Sequence, residues 1–135
     1  MRLPTVFSNN KGFTLIELVV AFGILMVGML GLMEAVSVAM AHNLRNSLRQ
    51  EAIQIGDQQL NAARALAFAD VVTQTTPVTA TRNIRSISKP FSYQRTVTDL
   101  PAGGTPTSKQ VQVMVTWQFK GVTYTHIVNT VLAAN

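Results

Sequence analysis

The sequence Lys11-Gly12-Phe13-Thr14-Leu15-Ile16-Glu17-Leu18 leads into a run in which no residue from Leu18 to Met33 is charged. As a helix that run is about 24 Å long, short of a hydrocarbon core of roughly 30 Å, whereas Phe13 through Ala41 spans it if Glu17 and Glu34 are tolerated. A helix entering the bilayer at Phe13 carries Glu34 about 32 Å on, to the far headgroups, but leaves Glu17 only about 6 Å in. A carboxylate at that depth costs at least about 2 kcal/mol, so Glu17 needs a partner. Two other readings of the segment compete. Ala39-Met40-Ala41 has the small-x-small form that a signal peptidase cuts, here before His42, but an ordinary signal keeps a shorter apolar region free of charge. A buried core helix is the third reading. Outside the segment, roughly 95 residues remain to build a soluble core, a size that usually folds but only marginally. Arg2 and Lys11, ahead of the run, place the N-terminus in the cytoplasm whether the segment is an anchor or a signal.

A short basic leader, Gly12, Phe13, a glutamate at the fifth place after the glycine and an apolar helix together resemble the prepilin signature of type IV pilins and type II secretion pseudopilins. The resemblance implies that a prepilin peptidase, which is also an N-methyltransferase, cuts between Gly12 and Phe13 and methylates the new amino group of Phe13. It further implies an assembly role for Glu17, neutralising the ammonium of a neighbouring subunit's first residue. Pairing those two charges in a low-dielectric filament core offsets their desolvation and fixes the axial register between subunits. The stretch Gly23-Ile24-Leu25-Met26-Val27-Gly28-Met29-Leu30-Gly31-Leu32 is similar to the V-type minor pilins and, less closely, to I-type minor pseudopilins. Many major pilins kink this helix with a proline; here no proline lies between Pro4 and Pro77. Three glycines offer another way to soften the helix, each weakening it by about 1 kcal/mol relative to alanine.

Beyond the apolar run the helical period continues. Leu44, Leu48, Ala52, Ile55 and Leu66 share one side, with Ile53, Leu60, Ala63 and Ala67 beside it, while Arg45, Arg49, Glu51, Gln54, Asp57, Gln58 and Arg64 lie largely elsewhere. One helix from about Thr14 to Ala69 is expected, its first half covered by lipid or neighbouring copies. From Asp70 the composition turns to Thr, Val, Ser and Pro, and the expected strands are Val78–Ile87, Phe91–Asp99, Gln110–Phe119 and Val122–Leu132, with a loop over Pro101–Pro106. A Lys120-Gly121 turn sets Phe119 opposite Val122, Trp117 opposite Tyr124, Val115 opposite His126 and Val113 opposite Val128, which gives one apolar face to cover the helix. Gln112, Thr116, Gln118, Thr123, Thr125 and Asn129 then point mostly outward. The fold class is α+β, a long N-terminal helix on a small antiparallel sheet, as the resemblance also implies. The expected organisation is a leader over 1–12, a membrane or filament-core helix over 13–41 and an exported domain over 42–135.

The absence of cysteine removes thiolate nucleophiles, zinc-thiolate sites and disulfides. The net charge of +5 falls to +3 once the residues before Phe13 are removed, and the remaining basic side chains, Arg45 to Lys120, are dispersed as on a solvated surface. Trp117, Phe119, Tyr93 and Tyr124 mostly alternate into the expected core, so nucleic acid is not an expected partner. Asp57, Asp70 or Asp99 would complete a Ser-His-Asp set only with a nucleophile elbow that the sequence lacks, and His42 and His126 alone make no metal site. His126 is expected to pack on the inner face of its strand. No catalysis, cofactor or metal is expected. The resemblance implies a structural minor pilin that joins a priming or tip complex, with the prepilin peptidase, other major and minor pilins, the inner-membrane assembly platform and, before assembly, membrane lipid as partners. Its expected location is the inner membrane and then a periplasmic or extracellular filament. The alternatives are a minor pseudopilin of type II secretion and a secreted soluble domain starting at His42.

Overall fold

The computed structural model describes residues 12–102 and 105–134. The leader residues Arg2 and Lys11, and Gly103-Gly104 of the expected loop, lie outside the described residues. Helix α1 runs from Leu15 to Arg64; a 3-10 turn, Phe68–Asp70, follows, and then strands β1 (Val78–Ile84), β2 (Ile87–Leu100), β3 (Ser108–Phe119) and β4 (Val122–Ala133). The fold is α+β. The chain divides into two compact units, one ending at Ala41 and one running from His42 to Asn135.

In the first unit α1 passes through Gly23, Gly28 and Gly31 without a break. A methyl group added at any of the three would meet nothing within 4 Å. Among the described residues none of the apolar window is buried.

In the second unit the strands form one antiparallel meander in the order β1-β2-β3-β4. The sheet carries its apolar residues on alternate positions: on β3, Val111, Val113, Val115 and Trp117 are buried on one face. Against that face α1 lays Leu48, Ala52, Ile55, Gly56, Leu60 and Ala63, a spacing of three and four that keeps one helical stripe inward. Phe91 of β2, Ile84 of β1 and Val71 from the connection complete the core. Gly56 permits the closest approach of helix and sheet, because a Cβ there would lie 2.9 Å from Val128 Cγ2. The expected register of the last hairpin holds: Phe119 faces Val122, Trp117 faces Tyr124, Val115 faces His126 and Val113 faces Val128.

Four expectations need correcting. The helix ends at Arg64 rather than Ala69, because the chain tightens: Leu66 N–H bonds to the Ala63 carbonyl, and Asp70 N–H to that of Ala67. The first expected strand does not run to Ile87. Arg85 and Ser86, at φ 50° and 66°, form a two-residue turn, and Ile84 pairs with Ile87 across it. Neither residue favours positive φ, so the turn carried no glycine or asparagine signal. As a result Ser88-Lys89-Pro90 belongs to β2, with Pro90 opposite Thr81 and outside the β2–β3 ladder, where its missing N–H is tolerated. Finally, Lys109 is not part of a solvated surface. It is buried, and its Nζ donates to the carbonyls of Phe68 at 2.7 Å and Val71 at 3.0 Å while lying 4.8 Å above the Phe68 ring. A lysine on the core side of β3 thereby satisfies two carbonyls of the connection that follows α1.

The connection after α1 also closes an edge. β1 covers β2 only as far as Tyr93, and beyond it Gln74 N–H bonds to the Arg95 carbonyl while Thr73 Oγ1 accepts from Val97 N–H. Those bonds occupy backbone groups that an open strand would offer to another chain.

Candidate functional site

The N-terminal segment begins where the helix begins. Gly12, Phe13 and Thr14 precede α1 in non-helical backbone, and all three are exposed, so the Gly12–Phe13 bond is open to another molecule. Thr14 Oγ1 accepts a hydrogen bond from the backbone N–H of Glu17 at 3.3 Å, which makes Thr14 the helix cap. Thr14-x-x-Glu17 is a capping-box spacing, a signal that the sequence itself carries. The Glu17 carboxylate sits in the first turn, where the helix dipole favours negative charge. Glu17 is exposed, and among the described residues neither it nor Glu34 has a salt-bridge partner.

Behind this start every large apolar side chain from Phe13 to Met40 is more than half exposed, with Phe13 at 87% and Val27 at 72%. Full burial of such side chains is worth about 1.5–3 kcal/mol each, on the order of tens of kcal/mol over the segment. A helix apolar on all sides has no solvated face to present, so lipid or other subunits must cover it. Ser37, polar within this stretch, returns its hydroxyl to the Met33 carbonyl at 2.9 Å.

Residues 7–33 match the prokaryotic N-terminal methylation motif. The motif supports a type IV pilin-like or pseudopilin protein, a structural class that is usually non-enzymatic. It implies processing by a prepilin peptidase and assembly with other pilins, and together with the long apolar helix it fits a membrane-anchored pilin. No curated protein and no solved structure matches the chain. The match ends within the apolar segment, so the sheet domain must be read from its own geometry.

In the second unit the two histidines, remote in sequence, come together. His42 in α1 and His126 in β4 line one groove of about 340 Å³ with Arg45, Arg49, Trp117 and Tyr124. The Arg45 guanidinium lies 5.0 Å above the Tyr124 ring, which itself stacks on Trp117 at 5.8 Å. His126 is half-buried on the inner side of β4, as expected, with its Nε2 buried and unpartnered among the described residues. Asp57 and Asp70 do not line this groove, and among the described residues no three His, Asp or Glu side chains gather as a metal site.

Proposed function

We propose that this chain is a structural minor pilin of the type IV pilus. The peptidase cuts after Gly12, the new N-terminus at Phe13 is methylated, and the apolar helix passes from the inner membrane into the filament core. There Glu17 neutralises the terminal ammonium of an adjoining subunit. The subunit enters a priming or tip complex together with other minor pilins. The observation that carries this reading is the coincidence, at one end of one helix, of the methylation motif, an exposed Gly12–Phe13 bond and an apolar surface left uncovered among the described residues. The similarity of the Gly23–Leu32 stretch to V-type minor pilins favours the pilus over the secretion filament.

The test is a clean deletion strain, scored side by side for surface filaments by electron microscopy and for extracellular protein by gel. Loss of filaments with normal secretion is the expected result. Lost secretion with normal filaments would move the protein to the pseudopilins. Intact mass of the cell-derived chain provides the companion measurement: a chain starting at methylated Phe13 is expected, and one starting at His42 would sink the pilin reading.

A further inference from the structure

We propose that the sheet continues from one copy of the chain to the next, the free edge of β4 taking β1 of a second copy as an added antiparallel strand. The inference rests on the filament reading above and adds to it a surface and the strand that fills it. β4 is an outer strand of the sheet, and over Val122–Ala133 it holds neither proline nor a charged residue. Edge strands ordinarily carry such guards against pairing with other chains. The chain does guard β2 where β1 stops, through Thr73 and Gln74, but among the described residues no backbone bond reaches β4 from outside the sheet. The face turned away from α1 is likewise free of Asp, Glu, Lys and Arg from β1 to β4. One row across the four strands reads Thr79, Ser92, Thr116 and Thr125. Solvated faces normally carry charge, and its depletion marks a surface that meets protein. Beside the β4 edge that face exposes Ile127 and Val131, at 49% and 61%.

Hydrogen-bond parity selects the occupant. Phe119 and Val122 close one two-residue turn and Ile84 and Ile87 the other, so each pair exchanges both of its backbone bonds. Counting from them, the even-numbered residues of β1 and β4 bond inward, and the odd-numbered ones direct N–H and C=O to the free edges. Those odd residues, Thr79, Thr81 and Asn83 on β1 and Thr125, Ile127 and Asn129 on β4, also stand on the charge-free face. Joining odd to odd therefore completes a ladder and keeps the faces continuous, with the α1 helices of both copies on one side. β1 and β4 run in opposite directions in the meander, so a copy in the same orientation presents its β1 antiparallel to β4. An antiparallel β4–β4 pair forms only about a two-fold axis and closes on itself. A subunit that continues to further subunits in one sense needs the heterologous contact. Centring β1 on β4 sets Thr81 opposite Ile127, with Thr79 opposite Asn129 and Asn83 opposite Thr125, and makes about six backbone hydrogen bonds.

The sequence has no cysteine, so introduced thiols report on this contact alone. Thr81→Cys and Ile127→Cys are carried on two full-length chains co-expressed in cells, and the membranes are oxidised with copper phenanthroline. A hydrogen-bonded antiparallel pair places its Cα atoms about 5.5 Å apart, within disulfide range. The expected result is a dimer band at least tenfold stronger than with either variant alone, and a ladder of multimers when one chain carries both substitutions. Both positions are exposed, so the urea midpoint of each variant should be unchanged. Cross-linking of Ile127→Cys to itself would overturn the proposal in favour of a closed pair. So would absence of the band when Thr125→Cys and Asn129→Cys also fail against Thr81→Cys, or a product of another mass, which marks a foreign strand on β4. Intact mass reads the foundation independently: a chain starting at His42 removes the filament reading, and a chain starting at methylated Phe13 without the cross-link removes this interface alone.

Discussion

Gly56→Ala is the sharpest probe of how α1 meets the sheet. In an isolated helix the substitution stabilises by about 1 kcal/mol, because glycine loses more backbone freedom on folding. Here the added Cβ would stand 2.9 Å from Val128 Cγ2, 3.6 Å from Val128 Cγ1 and 3.8 Å from Val115 Cγ2. The first distance is too short for carbon against carbon, so Val128 must move. Val128 is β-branched and half-buried on β4, and its alternative χ1 wells are few. Displacing it costs about 0.5–1.5 kcal/mol in rotamer energy alone, and overpacking a core typically costs about 1–3 kcal/mol. Repulsion therefore wins, and the expected net effect is a loss of about 1 kcal/mol, equivalent to about 4–8 °C in a domain of this size. The assay is urea and thermal unfolding of the full chain in neutral detergent, followed by Trp117 fluorescence. Val128→Ala in the same chain should relieve the clash, giving a coupling of about 1 kcal/mol or more between the two substitutions. A stabilised Gly56→Ala, or additivity of the pair within about 0.5 kcal/mol, would refute the close approach.

Glu17→Ala should leave peptidase cleavage and the helix start intact, because the cap bond uses the Glu17 backbone and Thr14 Oγ1, but it should block incorporation into filaments. Cleavage is read by intact mass and incorporation from sheared filaments, and normal incorporation would refute the charge-pairing role. Lys109→Met should cost about 1–3 kcal/mol, since it strands the Phe68 and Val71 carbonyls beneath the connection. Limited proteolysis should then cut within 66–77 before any other site in the sheet domain; an unchanged cleavage pattern would show that the lysine holds nothing.

Local pattern alone determined the membrane-length apolar segment, the helical stripe from Leu48 to Ala63 and the register of the Lys120-Gly121 hairpin. Each rests on a period that burial enforces: a one-residue slip in β3 would turn Val111, Val113, Val115 and Trp117 out of the core. The Gly12-Phe13-Glu17 pattern was equally legible, because it lies within a few adjacent residues and needs no tertiary contact. The Thr14 cap is legible in the same letters, through the spacing Thr14-x-x-Glu17. What only the tertiary structure decided lies where distant segments meet. Arg85 and Ser86 turn the chain at positive φ because pairing of Ile84 with Ile87 holds them there, against their own preference. Lys109 is buried because two carbonyls about forty positions away come within reach of its ammonium. The groove exists because α1, β3 and β4 bring His42, Arg45 and Arg49 to Trp117 and His126, residues whose separation along the chain leaves no periodicity to read.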